Sequence, residues 1–177
     1  MEEVNKVVQK LIDREYRISF AESCTGGLCC AELVGVADAS KVLDVSFTTY
    51  ANEAKVNFIG VNADTIEKYG VVSEEVAKEM CVGVAKTAGS DIGVGVTGVA
   101  GPGGGTDKKP VGMVCFGFYI DGNIKTFIKQ FGALGRNNVR NASVNFVFKT
   151  LNELLSVLAD CTEVQRRRFL LYALDGL

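Results

Sequence analysis

Apolar positions along the chain follow two periods, one typical of helices and one typical of strands. Residues 2–14 place five apolar side chains on one face at helical spacing, which predicts a helix. A short apolar run at 16–21 predicts a strand directly after it. By the same criteria we predict further strands at 43–50, 92–97, 111–120 and 124–131, and further helices at 28–34, 53–59, 64–69, 75–88 and 137–158.

Strands and helices alternate over much of the chain, and this order predicts an α/β fold, a three-layer α/β/α sandwich. The turn at 121–123 predicts a hairpin between the last two strands, so we expect a mixed, mostly parallel sheet. No repeat or linker interrupts the pattern. We therefore expect one domain over residues 1–159, followed by a tail at 160–177 that carries a basic run at 166–168 and is a candidate oligomer contact.

The charge balance argues against two classes of partner. The chain has 19 Lys and Arg against 21 Asp and Glu, a net charge of −2. A chain this close to neutral has no bulk attraction for nucleic acid or anionic lipid. No apolar run reaches the ~18 residues of a membrane span, and the acidic N-terminus is unlike a signal peptide. We expect no nucleic-acid or membrane partner, and a cytoplasmic location.

Histidine is absent from the chain, which excludes Ser-His-Asp and Cys-His catalysis and most catalytic zinc sites. The six cysteines include no C-x-x-C pair, and most lie within apolar runs, so we expect buried free thiols. No cluster of side chains requires a metal ion or another cofactor, and we expect none.

A turn with two hydroxyl side chains, Ser23 and Thr25, follows the first predicted strand and leads into a helix. Its backbone N–H groups suit an anion or an oxyanion. Because histidine is absent, a serine nucleophile needs another base, and a neutral lysine is a known alternative. Lys55 is the candidate base and Tyr50 a candidate proton relay. Two other interpretations stay open: Ser23 as a helix cap and Lys55 as a solvated charge.

A second glycine-rich turn, at 98–106, follows the predicted strand at 92–97. It lacks both the dinucleotide fingerprint and the Walker lysine. It indicates either an anion site beyond the end of a strand or a tight loop without a ligand.

Several segments, taken together and in order, resemble the CinA C-terminal domain family, the nicotinamide-nucleotide amidohydrolases. The resemblance covers about residues 3–155 and rests on AESCTGG at 21–27, YANEAK at 50–55, GVVSEEVA at 70–77, TGVAGPGGGT at 97–106 and KPVG at 109–112. It implies a three-layer fold with a mixed sheet and a homodimer or higher homo-oligomer. It also implies hydrolysis of the carboxamide of nicotinamide mononucleotide, the small-molecule substrate, to nicotinate mononucleotide and ammonia.

The resemblance also implies roles for individual residues. The serine, tyrosine and lysine of the family fall on Ser23, Tyr50 and Lys55. Residues expected to bind the substrate are Thr25, Gly26, Gly27, Asn52, Thr97, Gly98, Gly101, Gly103, Arg136 and Arg140. The two arginines, at successive helical turns, suit bidentate binding of a phosphate, or else form a solvated helix face. Many family members have an aspartate before the first of these arginines; this chain lacks it, which bears on substrate affinity.

These residues permit a mechanism, stated here as a hypothesis. Neutral Lys55 removes the Ser23 proton, directly or through Tyr50, and Ser23 attacks the carboxamide carbon. Backbone N–H groups at 25–27 or 98–101 hold the oxyanion. Cys24 is a rival nucleophile, since a helix N-terminus lowers the pKa of a thiol. The alternative functions are a non-catalytic nucleotide or phosphate-binding module and an interaction protein related to competence or DNA damage.

Overall fold

The computed structural model describes residues 2–159. Six helices and five strands follow one another, with a 3-10 turn at Ala39–Lys41. In chain order they are α1 (Glu2–Ile12), β1 (Ile18–Glu22), α2 (Leu28–Val34), β2 (Phe47–Thr48), α3 (Asn52–Ile59), α4 (Ala63–Tyr69), α5 (Glu74–Ala88), β3 (Ile92–Gly98), β4 (Met113–Ile120), β5 (Asn123–Gln130) and α6 (Arg136–Ala159). The predicted tail at 160–177, with its basic run, lies outside the described residues.

The strands form one sheet in the order β2-β1-β3-β4-β5. β1 runs parallel to both of its neighbours, whereas β4 runs antiparallel to both β3 and β5. The α/β class and the mixed sheet are confirmed, but the prediction of a mostly parallel sheet is wrong. The reason lies in the connections: a parallel pair needs a crossover, and neither the 99–112 segment nor the turn at 121–122 contains a helix.

The predicted helices and most strands agree with the structure to within two residues at each end, and the largest difference is β2. The pattern predicted a strand over 43–50, but only Phe47 and Thr48 pair, with Ala21 and Glu22 of β1. Just before them, Ser46 Oγ donates to the Phe20 carbonyl instead of continuing the ladder. β2 is therefore a very short edge strand, which limits the exposed edge of the sheet.

Helices cover both faces of the sheet. α5 packs on one face against β1, β3 and β4, and α1, α2 and α6 form the layer on the other. Alternation along β1 serves both layers: the Phe20 ring lies 6.1 Å from that of Phe148 in α6, whereas Ala21 joins the cluster beneath α5. α5 lies so close to the sheet that a Cβ at Gly117 would be 2.2 Å from the Ala77 carbonyl oxygen.

Ser73 caps α5, as expected for a serine before two glutamates, and its Oγ accepts a hydrogen bond from the Val76 N–H at 3.3 Å. Within residues 2–159, no helix combines the length and the hydropathy needed to cross a lipid bilayer.

Candidate active site

The segments that follow β1, β2 and β3 meet at one edge of the sheet, because the carboxyl ends of parallel strands lie together. Two backbone hydrogen bonds hold them: the Ser23 N–H donates to the Val96 carbonyl of β3, and the Thr49 N–H donates to the Glu22 carbonyl of β1, each at 2.9 Å. The first glycine turn (residues 23–27) and the second glycine loop (residues 98–106) are therefore neighbours at this edge.

Ser23 and Lys55 lie within hydrogen-bond distance of each other. Lys55 Nζ is 3.2 Å from Ser23 Oγ, and it also donates to the carbonyls of Thr49 at 2.7 Å and Tyr50 at 3.4 Å. The side chain of Lys55, in the first turn of α3, is fully buried, while Ser23 is half-buried. The interpretation of Lys55 as a solvated charge is therefore wrong.

Burial lowers the pKa of Lys55 below the ordinary lysine value of 10.5, and the neighbouring Cys24 and Glu53 oppose that shift to a lesser extent. No carboxylate within residues 2–159 forms an ion pair with Lys55. A neutral amine that donates its two hydrogens to the Thr49 and Tyr50 carbonyls keeps its lone pair for the Ser23 hydroxyl. This is the geometry that a general base requires.

Tyr50 contributes differently from what the motif suggests. Its side chain is 61% exposed, and its hydroxyl accepts a hydrogen bond from Arg136 Nη2 at 2.9 Å. Lys55 contacts the Tyr50 carbonyl instead of the phenol. The direct contact between Lys55 and Ser23 therefore needs no relay.

The two arginines of α6 form hydrogen bonds with the second glycine loop and with the first glycine turn. Arg136 Nη1 donates to the Gly101 carbonyl at 2.9 Å, and Arg140 Nη2 donates to the Thr25 carbonyl at 2.9 Å. Arg136 is exposed and Arg140 is half-buried. A backbone carbonyl and the Tyr50 hydroxyl therefore bind Arg136. A guanidinium carries five N–H donors, so each arginine retains donors for a ligand.

Five of the other predicted substrate-binding residues lie in or next to the two glycine-rich segments of the site. Thr25, Gly26 and Gly27 form the turn beside Arg140, and a Cβ at Gly26 would lie 3.5 Å from that guanidinium. Thr97 is buried and its hydroxyl donates to the Val71 carbonyl at 2.9 Å, while Gly98 ends β3.

Two of the predicted residues are not joined to the Ser23–Lys55 pair. Asn52 is exposed and lines a cavity of about 290 Å³ between α3 and α4. Gly103 is also exposed, and a Cβ at this position would have no neighbour within 4 Å. Within residues 2–159 no hydrogen bond connects either of them to Ser23 or Lys55.

Glu22 is a residue of this site that the sequence analysis missed. Its fully buried carboxylate accepts hydrogen bonds from the N–H groups of Gly27 at 3.0 Å, Cys29 at 3.1 Å and Cys30 at 2.9 Å. The anion expected at the start of α2 is therefore a side chain of the protein itself. The sequence shows that α2 has no acidic residue in its first turn, but it does not show that Glu22 reaches the amides there.

Ser23 and Cys24 are adjacent candidate nucleophiles, and they differ in burial and in their contact with Lys55. The cap residue of α2 is Gly27, so the interpretation of Ser23 as a helix cap is wrong. Cys24 is only 6% exposed, and burial, together with the charge of Glu22, raises the pKa of its thiol to about 12. The structure therefore favours the serine over the cysteine as the nucleophile, because a thiol reacts as its thiolate.

Comparison with known proteins agrees with these motifs. The family model of the CinA C-terminal domain matches residues 2–155. A CinA-like protein of Kosmotoga olearia is 46% identical over 156 residues, which are 87% of this chain and 37% of that protein. A putative competence-damage inducible protein of Clostridium acetobutylicum is 51% identical over 138 residues, 77% of this chain and 33% of that protein. The chain thus spans about a third of the length of these relatives.

Solved structures match over nearly their whole length. A CinA superfamily protein of Klebsiella pneumoniae superposes with a TM-score of 0.84 at 37% identity, covering 88% of this chain and 96% of that one. One from Escherichia coli superposes with a TM-score of 0.81 at 33% identity, covering 86% and 87%. On the family match, the identities and the shared fold, this chain belongs to the CinA C-terminal domain family.

Proposed function

We propose that the protein is an amidohydrolase that converts nicotinamide mononucleotide and water to nicotinate mononucleotide and ammonia. The observation that carries the proposal is the 3.2 Å distance between Lys55 Nζ and Ser23 Oγ at the edge of the sheet where ligands bind in α/β folds. The lowered pKa of Lys55 supports it, because a base must be deprotonated to accept the serine proton.

In the first half of the reaction, Ser23 Oγ forms a bond with the carboxamide carbon while Lys55 takes the hydroxyl proton. The carbonyl oxygen becomes an oxyanion. The C–N bond then breaks, and Lys55 returns its proton to the nitrogen, which leaves as ammonia. The ester between Ser23 and the pyridine carboxyl group remains, and Lys55 is again neutral.

In the second half, Lys55 takes a proton from water as the water oxygen attacks the ester carbon. The bond to Ser23 Oγ breaks and Lys55 protonates the serine. The acid released loses its proton to solvent. The sum is one amide and one water consumed, and one carboxylate and one ammonium ion formed.

The substrate's phosphate and the oxyanion need separate positive sites. Arg136 and Arg140 supply guanidinium donors for the phosphate. The Gly27, Cys29 and Cys30 amides already donate to Glu22, and the Val99 amide donates to the Met113 carbonyl, so the oxyanion is assigned to the amides of 24–25 and of 100–101.

The test measures ammonia and nicotinate mononucleotide formed by the wild type, by Ser23→Ala and by Lys55→Met. Removal of the nucleophile or its base should lower kcat by about 100- to 10,000-fold. The matched control is Lys41→Met, an exposed lysine that pairs with Asp38, which should keep wild-type turnover. Wild-type protein that releases no ammonia, or Ser23→Ala with near-normal turnover, would contradict the proposal.

A second candidate function is a phosphate or nucleotide-binding module without chemistry, favoured by the two guanidinium groups with donors to spare. The same samples separate the two. Nicotinamide mononucleotide that raises the unfolding temperature of the wild type, but is recovered unchanged, would favour the binding module.

A further inference from the structure

We propose that Glu22 is a positioning residue: its carboxylate fixes the first glycine turn so that the Ser23 hydroxyl, and not the Cys24 thiol, faces Lys55. The inference rests on the proposed function, in which Ser23 is the nucleophile. It adds a residue to which neither the motifs nor the relatives' names assign a role.

The first observation is the set of bonds that the carboxylate makes. One oxygen accepts the N–H groups of Gly27 and Cys29, and the other accepts that of Cys30. Glu22 precedes the first glycine turn and the three amides lie at its end and in α2, so the carboxylate joins the two ends of the turn. Ser23 and Cys24 lie in this turn, so the directions of their side chains depend on the backbone conformation of the turn.

The second observation is that the Glu22 backbone also supports the base. The Glu22 carbonyl accepts the Thr49 N–H at 2.9 Å, and the Thr49 carbonyl accepts the Lys55 ammonium or amine hydrogen at 2.7 Å. The same residue thus holds the nucleophile through its side chain and the base through its main chain. A shift of Glu22 would therefore change the distance between Ser23 Oγ and Lys55 Nζ.

The third observation concerns the neighbouring thiols. Burial is the main cause that raises the pKa values of Cys24, Cys29 and Cys30, and the negative charge of Glu22 adds to it at each of the three. A buried carboxylate that also neutralises the positive end of α2 removes the usual means by which a helix activates a thiol. Glu22 accordingly disfavours the rival nucleophile next to Ser23.

The test replaces Glu22 with Gln, which keeps the size of the side chain but removes the charge and turns one acceptor into a donor facing backbone N–H groups. The probe is a fluorophosphonate that labels activated serines, with the labelled peptide identified by mass spectrometry. The labelling rate of Ser23 should fall about 10- to 100-fold, as expected for a misplaced nucleophile. Alkylation of Cys24 by iodoacetamide at pH 8 should become faster.

Amide hydrolysis gives a second readout. In Glu22→Gln, kcat should fall in parallel with the labelling rate while KM changes little, because Arg136 and Arg140 are untouched. The matched control is Glu32→Gln, an exposed glutamate within the same helix α2, which should match the wild type in both labelling and alkylation.

Each outcome decides. A Glu22→Gln protein that remains folded, labels Ser23 within about twofold of the wild type and leaves Cys24 unreactive would overturn the inference. If that variant does not fold, Glu22→Asp decides instead: it keeps the charge but is shorter, and it should label at an intermediate rate. A wild type that labels at Ser23 but releases no ammonia would refute the proposed function alone, and one that neither labels at Ser23 nor releases ammonia would refute both.

Discussion

The two glycine-rich segments at the edge of the sheet look alike in sequence but are built differently. At the first glycine turn, the N–H of Gly27 and those of Cys29 and Cys30 at the start of α2 donate to Glu22, and the turn places Ser23 next to the buried amine of Lys55. In the second glycine loop, a backbone carbonyl, that of Gly101, is bound by Arg136, and residues 103–105 are exposed. The first turn thus has a buried carboxylate of the protein as its acceptor, whereas the second loop is exposed over residues 102–106 and buried only at Ala100 and Gly101.

This difference shows that a glycine turn after a strand does not by itself define an anion site. What matters is whether its amides already have acceptors. The buried carboxylate takes that place at the first turn, so in the function that we propose the turn positions the nucleophile. Under the same proposal, anion recognition is left to the arginines of α6 and to the second loop.

The largest expected effect is the pH dependence of turnover, because Lys55, the proposed base, lies beside the first glycine turn. Burial lowers the pKa of Lys55, so kcat/KM should rise about tenfold per pH unit and level off below the ordinary lysine value of 10.5. Lys41→Met should leave the profile unchanged. A midpoint at or above 10.5 would show that Lys55 titrates as a solvated amine.

The same group makes stability depend on pH with a defined sign. Because its pKa is lower in the folded protein, the unfolded chain binds more protons between the folded pKa and 10.5. The contribution of Lys55 to the free energy of unfolding therefore rises with pH across that window. In urea unfolding, the stability of the wild type relative to Lys55→Met should increase over the same window and stay constant below it.

A smaller effect separates the arginines that serve the two segments. Arg136 binds the second loop and the exposed Tyr50 hydroxyl, so Arg136→Ala should raise KM about tenfold with little change in kcat. Arg140 binds the Thr25 carbonyl within the first turn, so Arg140→Ala should lower kcat as well. Steady-state kinetics on both variants tests this, and equal effects on kcat would contradict the contrast.

A suitable control is Arg17→Ala. Arg17 precedes β1, at the amino-terminal ends of the parallel strands, and forms an ion pair with Asp44 at 2.9 Å. Its loss should leave both kinetic constants close to those of the wild type, because it is remote from the carboxyl ends of the strands.

Much of the fold could be predicted because the local signals agree with the tertiary structure. The buried run that became β3, the Ser73 cap of α5 and the hairpin at 121–122 each carry a signal within a few residues. The direction of β4 relative to β3 carries no such signal, because it depends on how a long connection returns to the sheet. The length of β2 likewise depends on pairing with β1, as the Ser46 bond to Phe20 illustrates.

The candidate site divides in the same way. Ser23 and Lys55 could be proposed from residue types and a resemblance, but their contact depends on the parallel pairing of β1 with β2 and on the position of α3. Glu22 was missed because a single glutamate in a buried strand gives no sign of which amides it will reach. Its role became visible only once its side chain and the start of α2 were located together.

The smallest expected effect compares one glycine from each segment. Gly27 has a φ of 93°, which side chains with a Cβ rarely adopt, and its own Cβ would lie 3.4 Å from Thr48 Oγ1. Gly27→Ala should therefore lower the free energy of unfolding by about 1–2 kcal/mol. Gly103 has open space around it, so Gly103→Ala should change stability by less than about 0.5 kcal/mol. Urea unfolding of both variants measures this, and an equal loss would mean that the second loop is as tightly constrained as the first turn.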